Sequence, residues 1–86
     1  MNNVWFVYLL ECKGGRLYTG ISTNVAARFE KHCSGKGAMF TRLNRPVRII
    51  AAKPFGSRSE ASKEERIMKL LTPDQKRRVA SQWTAE

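Results

Sequence analysis

The sequence predicts a small α/β domain whose elements run ββαβαα. Three observations carry the prediction. Two β-rich apolar runs lie on either side of a Gly-Gly pair, a third lies between two prolines, and apolar residues recur at helical spacing between and after them. A chain of 86 residues has room for one such unit, read as a single domain over 1–86 with no second core.

The opening run, Val4 to Leu10, is rich in β-branched and aromatic residues and reads as a strand covered on both faces. Leu17 to Ile21 is the second strand, so Gly14-Gly15 marks a hairpin. Ser22-Thr23-Asn24 supplies capping side chains for a helix in which Val25, Ala26, Phe29 and Cys33 recur, ending at Ser34-Gly35. Lys36 to Arg45 reads as a loop. Pro46 opens the third strand, Val47 to Ala52, and Pro54 closes it. Ser59 is the expected cap of a helix running to about Leu71. Thr72-Pro73 then caps and starts a polar surface helix expected to end before Trp83.

Charge narrows the partners. Sixteen Lys and Arg against seven Asp and Glu leave +9. An excess of that size on so small a surface favours a polyanion, because each phosphate contact releases condensed counterions. Cys12 and Cys33 with one His make neither a disulfide framework nor a four-ligand zinc site, and read as reduced, small core side chains. Met1-Asn2-Asn3 carries no positive charge ahead of the apolar run, and that run is too short to cross a bilayer. The expectation is a cytoplasmic protein with no membrane partner. Gly35-Lys36-Gly37 lacks the spacing of a phosphate-binding loop and follows a helix rather than a strand, so it is not read as one.

An ordered set of polar residues adds more. Val7-Tyr8 ends one strand motif and Tyr18-Thr19-Gly20-Ile21 begins the next, followed by Asn24, Arg28 and His32. Ser34-Gly35-Lys36-Gly37-Ala38 and Thr41-Arg42 come after, then Ser59-x-Ala61-x-x-x-Glu65 with Lys69 and Leu71. This series resembles the GIY-YIG nucleases, in particular their short single-domain bacterial members, from Phe6 to about Lys76. The first signature reads Phe6-Val7-Tyr8 without its glycine and isoleucine. In the second, Thr19 replaces an isoleucine, and Ile21 stands where many repair nucleases carry lysine. The resemblance implies a three-stranded antiparallel sheet flanked by helices. It also implies a metal-dependent endonuclease that hydrolyses phosphodiester bonds of nucleic acid, DNA first, in repair or processing.

The resemblance places Tyr8 and Tyr18 together in the site, Tyr8 as general base, with Glu65 holding one divalent ion, Mg²⁺ or else Mn²⁺. Arg28 and His32, at i and i+4, share a helix face on the flank of the stripe Val25, Phe29, Cys33. They are expected to steady charge on the phosphate. Periodicity alone centres the apolar face of the later helix (Ala61, Ile67, Met68, Leu71) near Glu64, whereas the motif spacing nominates Glu65. Lys36, Arg42, Arg45 and Lys69 are the expected phosphate grips. Each residue also has a plainer reading: core tyrosines, a solvated helix edge, a soluble basic loop, or a Glu65–Lys69 ion pair. The rival function is a non-catalytic nucleic-acid-binding module on the same scaffold.

Hairpin register ties the fold to the chemistry. A two-residue Gly14-Gly15 turn pairs Tyr8 with Ile21 and sends the tyrosines to opposite faces. A three-residue loop, Lys13-Gly14-Gly15, pairs Tyr8 with Gly20 and Leu10 with Tyr18, so that both phenols share a face. Composition leans to the shorter turn and function needs the longer one, with Gly15 left-handed; the longer loop is the expectation.

Overall fold

The computed structural model describes residues 4–83, and Met1-Asn2-Asn3 lies outside them. The elements are β1 (Trp5–Cys12), β2 (Leu17–Ser22), α1 (Val25–Cys33), α2 (Met39–Leu43), β3 (Pro46–Phe55), α3 (Arg58–Lys69) and α4 (Pro73–Trp83), with a short 3-10 turn at Lys13–Gly15. The sheet is antiparallel in the order β2-β1-β3. This matches the expected class, a three-stranded sheet flanked by helices. No helix among the described residues is long and apolar enough to cross a membrane.

β1 is central and buried on both faces, as its unbroken apolar run requires. On one face, Tyr8, Leu10 and Cys12 pack with Tyr18 and with Val25 and Phe29 of α1. On the other, Val7 meets Ala61 and Met68 of α3, and Leu9 meets Ala80 of α4, with Trp83 against both clusters. The α4 helix is also tied by charge: Arg77 reaches Glu11 at 3.4 Å and donates to the Gly15 carbonyl at 3.2 Å.

The hairpin takes the longer loop. Tyr8 lies opposite Gly20 and Leu10 opposite Tyr18, and the Cys12 N–H donates to the Arg16 carbonyl at 2.7 Å. Gly15 is left-handed at φ +78°, as expected, and Gly14 is left-handed as well at φ +81°. The loop is therefore not a type I turn followed by one left-handed residue.

Several sequence expectations need correction. The segment Lys36–Arg45 contains α2, one helical turn too short to show a period. The cap of α3 is Ser57, whose hydroxyl accepts the Glu60 N–H at 3.1 Å, not Ser59. The α4 helix includes Trp83, and its inner side is core rather than surface. Cys12 is buried as read, but Cys33 is exposed, and so is Ile67. The inward position on α1 expected of Cys33 belongs to His32. At roughly 100° per residue His32 falls within about 20° of Val25, whereas Cys33 is about 80° away.

Candidate active site

Three elements bring the site together. The hairpin register sets Tyr8 and Tyr18 on the α1 side of the sheet, with ring centroids 6.3 Å apart. Asn24 caps α1 by accepting the Ala27 N–H at 3.0 Å, which fixes where the helix starts and so which residues face inward. Val25 and Phe29 anchor the helix on the sheet, and His32 then points at Tyr8. Tyr8 and His32 are each 1% exposed.

The hydrogen bonds around the imidazole suit a proton on Nδ1. The Thr41 hydroxyl donates to the Ala38 carbonyl at 2.8 Å, so its oxygen is left to accept from His32 Nδ1–H at 2.9 Å. With the proton on Nδ1, the bare Nε2 accepts from the Tyr8 hydroxyl at 2.9 Å. The Ala38 N–H points at Nδ1 from 3.4 Å, a longer contact that suits the opposite tautomer. The result is a chain of donors running Tyr8 to His32 to Thr41 to a backbone carbonyl.

Electrostatics hold this chain neutral. Burial pushes the Tyr8 hydroxyl up to about 12, with the Tyr18 phenol and the Glu65 carboxylate adding to the rise and the Arg28 guanidinium opposing it. Burial first, then the Arg28 charge, takes His32 below its ordinary value of 6.5. A histidine in that state is an unprotonated acceptor at neutral pH. The Tyr18 ring stands edge-on to His32, with centroids 5.0 Å apart.

Two glycines make the space. A Cβ at Gly20 would sit 2.5 Å from the Tyr8 hydroxyl oxygen, and one at Gly37 would overlap His32 Nδ1. Sequence reasoning assigned no role to either, nor to Thr41. All three lie inside the motif segments, so their fixed offsets from Tyr18 and His32 were the available signal.

The remaining candidates lie around this core. Arg28 is exposed at the edge of a shallow hollow of about 510 Å³ bordered by Asn24 and Lys31, and its guanidinium acts on both Tyr8 and His32. Arg42 and Arg45 line a second cleft of about 350 Å³ behind His32, joined by Lys13. Lys36 is exposed nearby in sequence but does not line that cleft. Glu65 is half-buried, and its charge reaches Tyr8. Glu64 faces away, toward Lys53, Val79 and Trp83. Lys69 is paired with Glu65 at 3.2 Å rather than free for a phosphate.

A divalent ion would find one carboxylate here. Among the described residues no three His, Cys, Asp or Glu side chains converge, so a cage of protein ligands is not built. A lone, partly exposed carboxylate does suit Mg²⁺, which keeps several waters and takes phosphate oxygens as further ligands.

The matched family model is the GIY-YIG catalytic domain, over residues 4–78. A UPF0213 protein of Cupriavidus necator is 46% identical over 84 residues, covering 98% of this chain and 91% of that protein. A solution NMR structure of the UPF0213 protein BH0048 from Bacillus halodurans is 41% identical with a TM-score of 0.59, covering 95% of this chain and 87% of the other. The solution NMR structure of EF2693 from E. faecalis has a TM-score of 0.66 at 37% identity, covering 100% and 94%. The chain belongs to the GIY-YIG family, among the small bacterial UPF0213 proteins.

Proposed function

We propose that this protein hydrolyses phosphodiester bonds of nucleic acid, DNA first, with Tyr8 relaying the proton of the attacking water to His32. The observation that supports the reading is the buried hydrogen-bonded chain Tyr8–His32–Thr41. A phenol pushed up to about 12 cannot be a general base alone at neutral pH. Its oxygen can accept a proton from water as its own proton passes to Nε2, so that charge ends on the imidazole. His32 thereby supplies the proton acceptor for a motif that has Ile21 where a lysine is common. This replaces the charge-steadying role first expected of His32.

Arg28, beside Tyr8, would meet the phosphate and offset the negative charge that builds on it. A divalent ion held by Glu65, Mg²⁺ or Mn²⁺, would supply further positive charge at the phosphate and its leaving oxygen. To hold the ion, Glu65 would give up its pairing with the Lys69 ammonium. Such a partly exposed i,i+4 pair is worth only about 0.3–0.5 kcal/mol, so losing it would cost little.

Purified protein incubated with branched, single-stranded and duplex DNA, with Mg²⁺ or EDTA, tests the reading. Cleavage is expected with Mg²⁺ and absent with EDTA or in Glu65→Ala, while Glu64→Ala cuts and Glu65→Ala still binds. Binding without cleavage by the wild type would favour a non-catalytic module on this scaffold.

A further inference from the structure

Helix α2 carries an apolar surface that the fold uses only in part. Its inner side is spent on Thr41, which is buried against His32. Met39, Phe40 and Leu43 are left 63%, 37% and 76% exposed. A one-turn helix could carry polar residues there without loss to the core, so three large apolar side chains together mark a contact surface. Lys36, Arg42 and Arg45 stand around them on the same short segment, on a protein of net charge +9. An apolar face framed by cations complements an apolar group on a polyanion, and a second copy of this basic chain would bring like charge to it.

The orientation of Phe40 decides which apolar group. One side of its ring packs on Tyr18, with centroids 5.9 Å apart and planes inclined by 31°. A wedge driven between duplex base steps needs both faces free, and Phe40 offers one. A single flat partner therefore fits it, and Tyr18 is itself edge-on to His32, so that partner would lie beside the reacting phosphate.

We propose that α2 is a base-stacking platform on which Phe40 receives one unpaired nucleobase of the substrate strand, while Arg42 and Arg45 hold flanking phosphates. The proposal rests on the nucleic-acid reading above and adds to it a preference for a strand whose base is free at the cut site. Stacking on an aromatic side chain has the energy and the sequence tolerance for this role.

Fluorescence anisotropy without metal tests it, using a labelled short oligothymidine strand and a labelled duplex of equal length. Phe40→Ala is expected to weaken strand binding roughly five- to a hundredfold. Phe40→Trp should bind the strand as wild type does. Duplex binding by the same Phe40→Ala sample should not change, which also reports that it is folded. The salt dependence of strand binding should keep its slope, because the phosphate contacts remain. Strand binding at wild-type strength in Phe40→Ala, or equal losses for strand and duplex, would overturn the platform. So would a wild-type dimer that Phe40→Ala turns into monomer in sedimentation. Because no cleavage is read, the platform can hold in a protein that never cuts. A protein that cuts while Phe40→Ala binds strand normally refutes the platform alone.

Discussion

A buried imidazole whose Nδ1 proton is held by Thr41 can take another proton only at Nε2, where Tyr8 donates. That arrangement sets the pH dependence. His32 titrates below 6.5 because its burial and the Arg28 charge disfavour the cation. Acid therefore fills Nε2 and removes the acceptor, and alkali does not affect it. The single-turnover cleavage rate should fall about tenfold per pH unit beneath the His32 pKa and stay level from neutrality to mildly alkaline pH. A rate that keeps rising through that alkaline range would assign the proton to hydroxide or to a tyrosinate instead. At this scale the ionisable residues of the site were legible from their order in the sequence, but the links between them were not. Thr41, Gly20 and Gly37 act by an oxygen lone pair or by an absent Cβ, and neither leaves a pattern along the chain.

The two hairpin strands and their register were read well because a central strand covered on both faces and a glycine pair leave few alternatives. Strand β3 instead runs past Pro54, expected to close it, to Phe55, as an edge strand tolerates proline. Helices were read less well at their ends. Ser57-Arg58-Ser59-Glu60 holds two candidate caps, and Glu60 three residues after Ser57 is the signal that separates them. The α2 turn was missed because five residues fill barely more than one helical period. The hairpin gives this scale its prediction. No atom lies within 4 Å of a Cβ built at Gly15, so Gly15→Ala strains only the left-handed backbone at φ +78°. Thermal denaturation should show a loss of about 1–2 kcal/mol, and a smaller one for Gly15→Asn, which tolerates that region. An unchanged melting temperature in Gly15→Ala would mean that the loop relaxes to another turn and does not fix the register.

Over the whole molecule the net charge of +9 is spread among exposed Lys and Arg, with Lys13, Arg42 and Arg45 gathered at the cleft behind His32. Composition showed that a polyanion was the favoured partner; only the fold brings Lys13, distant in sequence, to the other two. Binding to duplex or single-stranded DNA should weaken along a log–log salt slope of several units, and Arg42→Ala should flatten it by roughly one. A slope near zero would remove the charge argument for nucleic acid. Lys69→Ala should change the slope less, since that ammonium is already paired with Glu65.

The Tyr8 hydroxyl, bonded to His32, is the one group that the proposed proton relay cannot lose. Tyr8→Phe keeps the ring packed in its cluster with Leu10, Cys12 and Phe29 and removes the hydroxyl that meets His32 and Arg28. Measured with Mg²⁺ under single turnover, beside DNA binding by the same protein, Tyr8→Phe should lose cleavage by about 10²–10⁴-fold and bind as the wild type does. Cleavage by Tyr8→Phe within a few-fold of the wild-type rate would contradict it.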